Sequence, residues 1–412
     1  SGSLAISGMF DIPTLLGVNH TQSIWICVWG IGLIGSIYAV FGGLKAVAVS
    51  DSINAVGLLI GGILIPVFGL MFIGDGNILE GLSILTTENP DKFKSMGSAT
   101  DPVPFYTIFT GMMLVQLFYW GTNQQIIQRA LGAKNLKEGQ KGLLLASFIK
   151  ILGPIIVVLP GLIAFHIFEG NLENADSAYP MLVNKVLPKA WVGFFAAVLF
   201  GAILSSFNSV LNSSVTLFGI DVYKQHINKE ATEKTVVKYG KMFGIVLAIA
   251  AMFIAPFIAN AGSLFAYLQE INGIYSIPIL TIIVVGYLTK RVPAIAAKIG
   301  LLSGCVLYII SQFGLKPYFI ENALAAAKNS GVINQGTLAL VEAQAYPHFL
   351  DVMAILFVLN VMIMLLIGKL KPRKEPFVHQ YTKQVDITPW KYVNKVGIAI
   401  CVIVIGVYIY FA

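Results

Sequence analysis

Apolar residues gather in long runs along this chain, separated by shorter polar stretches. A helix needs about 20 mostly apolar residues to cross the hydrocarbon of a bilayer. Ten runs meet that length, over roughly 22–43, 51–74, 104–128, 142–168, 190–218, 237–260, 263–287, 295–314, 346–368 and 392–412. The run at 263–287 is the least clean, because it carries Gln269, Glu270, Asn272 and Gly273. The stretches 75–103, 169–189 and 315–345 are longer than the other connections and hold helix-forming segments such as 321–328, which read as short interfacial helices. No long charged linker divides the runs, so 1–412 reads as a single transmembrane domain of the all-α class.

Composition supports lipid as the solvent. Hydrophobic residues make up 57% and charged residues 11%, against roughly 25% charged in soluble domains. The net charge of +7 would suit nucleic acid if it formed a patch, but its placement argues otherwise. With each basic residue assigned to the loop it lies in or borders, one alternate set of loops carries 20 Lys/Arg and the other carries 6, and Lys150, well inside a run, completes the 27. Cytoplasmic loops are the Lys/Arg-rich ones, so the alternation supports all ten runs together and puts both Ser1 and Ala412 outside. The basic excess is a topology signal, and no nucleic-acid partner is expected. Cys27, Cys305 and Cys401 each lie alone in an apolar run, which fits packing thiols better than a disulfide or metal framework.

Polar groups at bilayer depth are costly and mark pathways or sites. Gln116, Tyr119, Trp120 and Asn123 fall at i, i+3, i+4 and i+7, which would place them on one helix face. Amides exchange hydrogen bonds with hydroxyls and rings stack on the C–H face of a pyranose, so this stripe suits a sugar; an interhelical polar contact is the other reading. Lys150 lies about 12 Å along the helix from the cytoplasmic end of its run, where it either snorkels to the interface or serves a site. Ser205, Asn208, Ser209, Asn212 and Ser213 line one face of 190–218, as hard oxygen ligands for a cation or as a close-packing stripe. Gln269-Glu270-Ile271-Asn272-Gly273 suggests an interrupted helix of the kind found at transporter sites, or a carboxylate at the interface. Asp51 opens the run 51–74, as a helix cap or as a carboxylate on a cation route.

Enzymatic patterns are missing from the sequence: it has no Gly-rich phosphate loop, no G-x-S-x-G and only five scattered histidines. Asn19-His20-Thr21 matches a glycosylation sequon that nothing else supports.

Tyr119-Trp120-Gly121-Thr122-Asn123-Gln124, followed by Gln128-Arg129-Ala130-Leu131-Gly132-Ala133-Lys134, resembles the sodium/glucose and sodium/galactose cotransporters of the solute:sodium symporter family. The resemblance extends to Gly42-Gly43-Leu44 before Asp51, to Lys150, to Ser205-Ser206 and to Phe265-Ala266-Tyr267-Leu268-Gln269-Glu270. It implies an inverted-repeat, leucine-transporter-like bundle in a plasma membrane. On that pattern 22–74 is the end of the first repeat, 104–287 the second repeat and 295–412 a C-terminal set of helices. The family's first three core helices have no counterpart, and the chain opens Ser-Gly-Ser without Met or a signal peptide, the pattern of a piece of a longer protein. The resemblance makes Ala202 (carbonyl), Ser205 and Ser206 sodium ligands, and Gln269 and Lys150 sugar contacts. Tyr119 becomes the inner gate and Phe265 part of the outer gate. Asp51 falls on the cation exit route and Asn123 near the site. Gln116 stands where the sodium/galactose pattern has a shorter amide. Sodium-coupled symport of a hexose is the implied activity, with myo-inositol, sialic acid or another polar solute as alternatives, or a non-transporting sugar sensor of the same fold.

Overall fold

The computed structural model describes residues 2–98, 103–172, 177–258, 264–330, 334–378 and 385–412, with side chains throughout these except at 39–47, 264–266, 335, 336 and 339. Every regular element among them is helical. The chain starts with two short helices, α1 (Gly2–Met9) and α2 (Ile12–Leu16), and the long α3 (His20–Ile73). Asn19 begins α3 by accepting the Gln22 amide at 2.8 Å, while Gln22 Oε1 accepts the Asn19 amide at 3.1 Å. This capping box gives the sequon-like residues a local structural role.

The runs 22–43 and 51–74 share this one helical stretch, with apolar spans at His20–Tyr38 and Ala48–Ile73. The stretch is not straight. A Cβ on Gly35 would touch Leu204, and one on Gly201 would touch Asn54. A straight helix would hold Gly35 and Asn54 about 28 Å apart, whereas Leu204 and Gly201 are neighbours one turn apart on a later helix. The chain therefore turns between the two spans while keeping helical hydrogen bonding, and both spans cross the same partner.

Next come α4 (Ile78–Glu88), α5 (Gly111–Gly121), α6 (Gln124–Leu131), α7 (Leu136–Lys150), α8 (Leu159–Ile167) and α9 (Ala178–Val186). The run 104–128 is thus divided between α5 and α6. At about 17 Å, α5 is too short to cross a bilayer alone. The run 142–168 bends by 42° between Leu136–Lys150 and Pro154–Ile167, where Pro154 brings no N–H and opens a wide helical turn. The helices α10 (Lys189–Leu217), α11 (Glu233–Ile258) and α12 (Leu264–Leu288) follow, then α13 (Ala294–Ile309), α14 (Lys316–Asn329), α15 (Gln335–Ala345), α16 (Phe349–Leu370) and α17 (Val393–Tyr410). Among the described residues, eight helices are long and apolar enough to span a membrane, or nine with the bent pair counted as one. The connections expected to form short helices do so in α4, α9, α14 and α15.

Small residues let the backbones approach, the usual device where lipid removes the hydrophobic drive between helices. α3 lies along α10, with Gly57 against Val198 and Gly61 against Phe195. A second packing centre joins α5, α12, α13 and α16 through Val115, Ile277, Tyr308, Leu350 and Met353. Many large apolar side chains on the other faces are exposed, such as Ile53, Val56, Phe257 and Val402, as a lipid-facing surface requires.

Candidate functional site

The break between α5 and α6 shapes the first half of the site. The amide and the hydroxyl of Thr122 both donate to the Phe118 carbonyl at 2.9 Å, and the Asn123 amide reaches it at 3.0 Å. Asn123 Oδ1 then accepts the Gln125 amide at 2.9 Å and caps α6. Thr and Asn side chains that bond the local backbone offer it an alternative to the helix. Asn123 therefore does not extend the Gln116 face, as its spacing suggested, but sits at the joint beyond it.

Upstream of the joint, Trp120 Nε1 donates to Gln116 Oε1 at 3.1 Å. The Tyr119 and Trp120 rings meet edge-on with centroids 5.3 Å apart. Lys150 Nζ, from α7, lies 4.5 Å from the Trp120 ring centre, a cation–π contact. The structure so brings together Gln116, Tyr119, Trp120 and Lys150. Both rings stay 38% exposed, which leaves aromatic faces, an amide and an ammonium available to a ligand.

The second half is carried by α12, which packs on α5 through Phe118 and Tyr275, centroids 5.9 Å apart. The interrupted helix expected at Gln269–Gly273 is not found: α12 is continuous over Leu264–Leu288. Gly273 serves close packing instead. A Cβ there would fall 2.3 Å from the Tyr308 hydroxyl, and that hydroxyl donates to the Glu270 carbonyl at 2.9 Å. Glu270 is ion-paired with Lys316 of α14 at 2.9 Å. Gln269 is half-buried about 9 Å along α12 from Tyr275. The side chain of Phe265 lies outside the described residues.

The polar stripe holds on α10. Ala202, Ser205 and Ser206 fall at i, i+3 and i+4, so their oxygens share a helix face. Carbonyl and hydroxyl oxygens are the ligand type that suits a hard cation. Ser209 Oγ donates to the Ser205 carbonyl at 2.6 Å. Asn208 is fully buried, and its amide O and N have no hydrogen-bond partner among the described residues.

Asp51 is neither helix-terminal nor solvated. It lies within α3 and accepts from Arg129 of α6, Nε at 3.2 Å and Nη2 at 2.5 Å. The same Nη2 donates to Ser209 Oγ. This junction is hidden in the sequence, where Arg129 stands in a motif with nothing to name its partners. Arg129 lies 78 positions from Asp51 and 80 from Ser209, and no local pattern joins them.

A model of the sodium:solute symporter family matches residues 3–304. The uncharacterized symporter YidK of Escherichia coli is 44% identical over 409 residues, 99% of this chain and 66% of the relative. The sodium/glucose cotransporter of Vibrio parahaemolyticus is 33% identical over 76% of this chain and 60% of its own length. Human sodium/myo-inositol cotransporter 2 is 29% identical over 70% and 47%. A solved structure of a substrate-bound, outward-open, sodium-coupled sialic acid symporter superposes with a TM-score of 0.56 at 18% identity, over 86% of this chain and 70% of that one. The chain thus spans about two thirds or less of the curated relatives it matches, and at that identity the solved structure speaks for the fold: both share the inverted-repeat bundle.

Proposed function

The chain belongs to the sodium:solute symporter family, a family of multi-pass membrane transporters, and we propose that it carries most of a symporter that couples sodium entry to uptake of a hexose by alternating access. The observation that supports a sugar best is the cluster at the helix break: two exposed aromatic rings, the Gln116 amide and the Lys150 ammonium within one group. Rings cover the C–H face of a pyranose while amide and ammonium serve its hydroxyls. In this reading 22–74 closes the first repeat, 104–287 forms the second and 295–412 adds C-terminal helices. Sodium binds Ala202, Ser205 and Ser206. Sugar binds between Tyr119 and Gln269, with Asn123 at the joint and Lys150 beside it. Tyr119 is the inner gate, Phe265 belongs to the outer one, and Asp51 receives sodium on its way to the cytoplasm.

The coupling is reciprocal: sodium tightens sugar binding by the factor by which sugar tightens sodium binding. A sodium gradient of about tenfold with ~100 mV across the membrane supplies about 1.4 plus 2.3 kcal/mol per ion. A second reading is favoured by Lys150, whose ammonium could also pair with a carboxylate; an acidic sugar of the kind named for the structural neighbour would use it.

Competition uptake in proteoliposomes containing the full-length protein separates these readings. Glucose or galactose should block labelled hexose uptake, with myo-inositol and sialic acid weaker. Gln269→Ala and Lys150→Ala should each weaken hexose binding by about 1–3 kcal/mol, because the hydroxyls they serve lose their partners. Strong competition by sialic acid alone, with its binding dependent on Lys150, would replace the hexose assignment.

A further inference from the structure

Three helices meet at one guanidinium. Arg129, on α6, directs Nε and Nη2 at the same oxygen of Asp51 on α3, Oδ2. Nη2 also donates to Ser209 Oγ on α10, and Nη1 donates to the Gln125 carbonyl at 2.9 Å. Ser209 in turn donates to the Ser205 carbonyl at 2.6 Å. The cation that neutralises Asp51 is therefore two hydrogen bonds away from Ser205, a proposed sodium ligand. The other carboxylate oxygen, Oδ1, is buried and has no hydrogen-bond partner among the described residues.

A largely buried carboxylate is balanced by one cation. Guanidinium and sodium together would leave an uncompensated charge where water screens it poorly. The unused Oδ1 gives an arriving ion an oxygen to touch before the guanidinium has left Oδ2. The tether also depends on the arginine fork, since a lysine ammonium is a point charge that does not reproduce the planar geometry gripping carboxylate and hydroxyl at once.

We propose that Arg129 is a tethered cation that competes with departing sodium for Asp51, so that the ion's arrival there and the release of α6 from α3 and α10 are one event. This rests on the sodium-symport reading and on Asp51 as a station of the exit route. It makes Arg129 a positioning residue for the inner gate, because α6 is the segment that follows Tyr119 across the break.

The test uses full-length protein in proteoliposomes and measures the internal sodium concentration that halves gradient-driven uptake. Arg129→Gln leaves Asp51 open to sodium, so half-inhibition should need about tenfold less internal sodium. In an Asp51→Asn background the same substitution should shift nothing. Ser209→Ala removes one anchor of the guanidinium and should lower the half-inhibiting concentration about threefold; it keeps the question answerable if Arg129→Gln fails to insert. Arg129→Lys should fall between Arg129→Gln and wild type. An unchanged or raised half-inhibiting concentration in Arg129→Gln or Ser209→Ala overturns the proposal, as does an equal shift without Asp51. Wild-type uptake that ignores exchange of sodium for choline would instead defeat the symport reading, so the two failures are distinguishable.

Discussion

At the scale of single residues, the chemistry falls on two faces. On α10, a hydroxyl pair and a carbonyl share one turn, and in the proposed sodium site the removal of one oxygen leaves the ion undercoordinated. Ser206→Ala should therefore raise the sodium concentration for half-maximal uptake without a comparable loss of folded protein. A sodium titration of uptake checks this, and an unshifted midpoint would take Ser206 out of the ion site. On α5, Tyr119 is in the proposed cycle both the ring under the solute and the bulk of the inner gate. Tyr119→Phe keeps both and loses only the hydroxyl. Tyr119→Ala loses a stacking contact of about 1 kcal/mol and the barrier, so coupled accumulation should fail in the second variant and persist in the first. Equal accumulation by wild type and Tyr119→Ala would make this ring ordinary packing. The stripe Gln116–Tyr119–Trp120 and the polar face from Ser205 to Ser213 could be read from spacing, whereas Ala202 and Ser206 as ion ligands came only from the resemblance. The Arg129–Asp51–Ser209 junction could not, because it depends on which helices become neighbours.

At the scale of elements, apolar run length located helices well and their interruptions poorly. A hydropathy window averages over about 20 residues, so it misses the three consecutive residues that end α5 and cap α6. Thr122 and Asn123 were in view as polar residues, but their competition for the Phe118 carbonyl decides the break. The opposite misreading arose in α12. Its Gly and Asn suggested an interruption, whereas Gly273 admits Tyr308 to a continuous helix. That account makes a stability prediction. A Cβ at Gly273 would fall 2.3 Å from Tyr308 and 2.4 Å from Met353, so Gly273→Ala should destabilise by about 1–3 kcal/mol, the usual cost of overpacking. Thermal unfolding followed by size-exclusion fluorescence should show a lowered midpoint; an unchanged midpoint would mean that α12, α13 and α16 pack more loosely here than the structure has them. Of the two readings of Asp51, the helix cap rests on a separate helix beginning at its run, but α3 stays helical through the turn before it.

At the scale of the whole molecule, the alternation of basic loops and the ten apolar runs describe one polytopic bundle, and the structure keeps that order while joining two runs in α3 and dividing one between α5 and α6. Among the described residues, partly buried ion pairs of Asp51 with Arg129 and of Glu270 with Lys316 tie α6 to α3 and α12 to α14. The central claim is that an inward sodium gradient drives solute uphill, and accumulation in proteoliposomes of the full-length protein tests it most directly. With sodium outside, labelled hexose should rise above its external concentration and fall back when a sodium ionophore collapses the gradient. Equal hexose levels with sodium or choline outside, before and after the ionophore, would contradict the account.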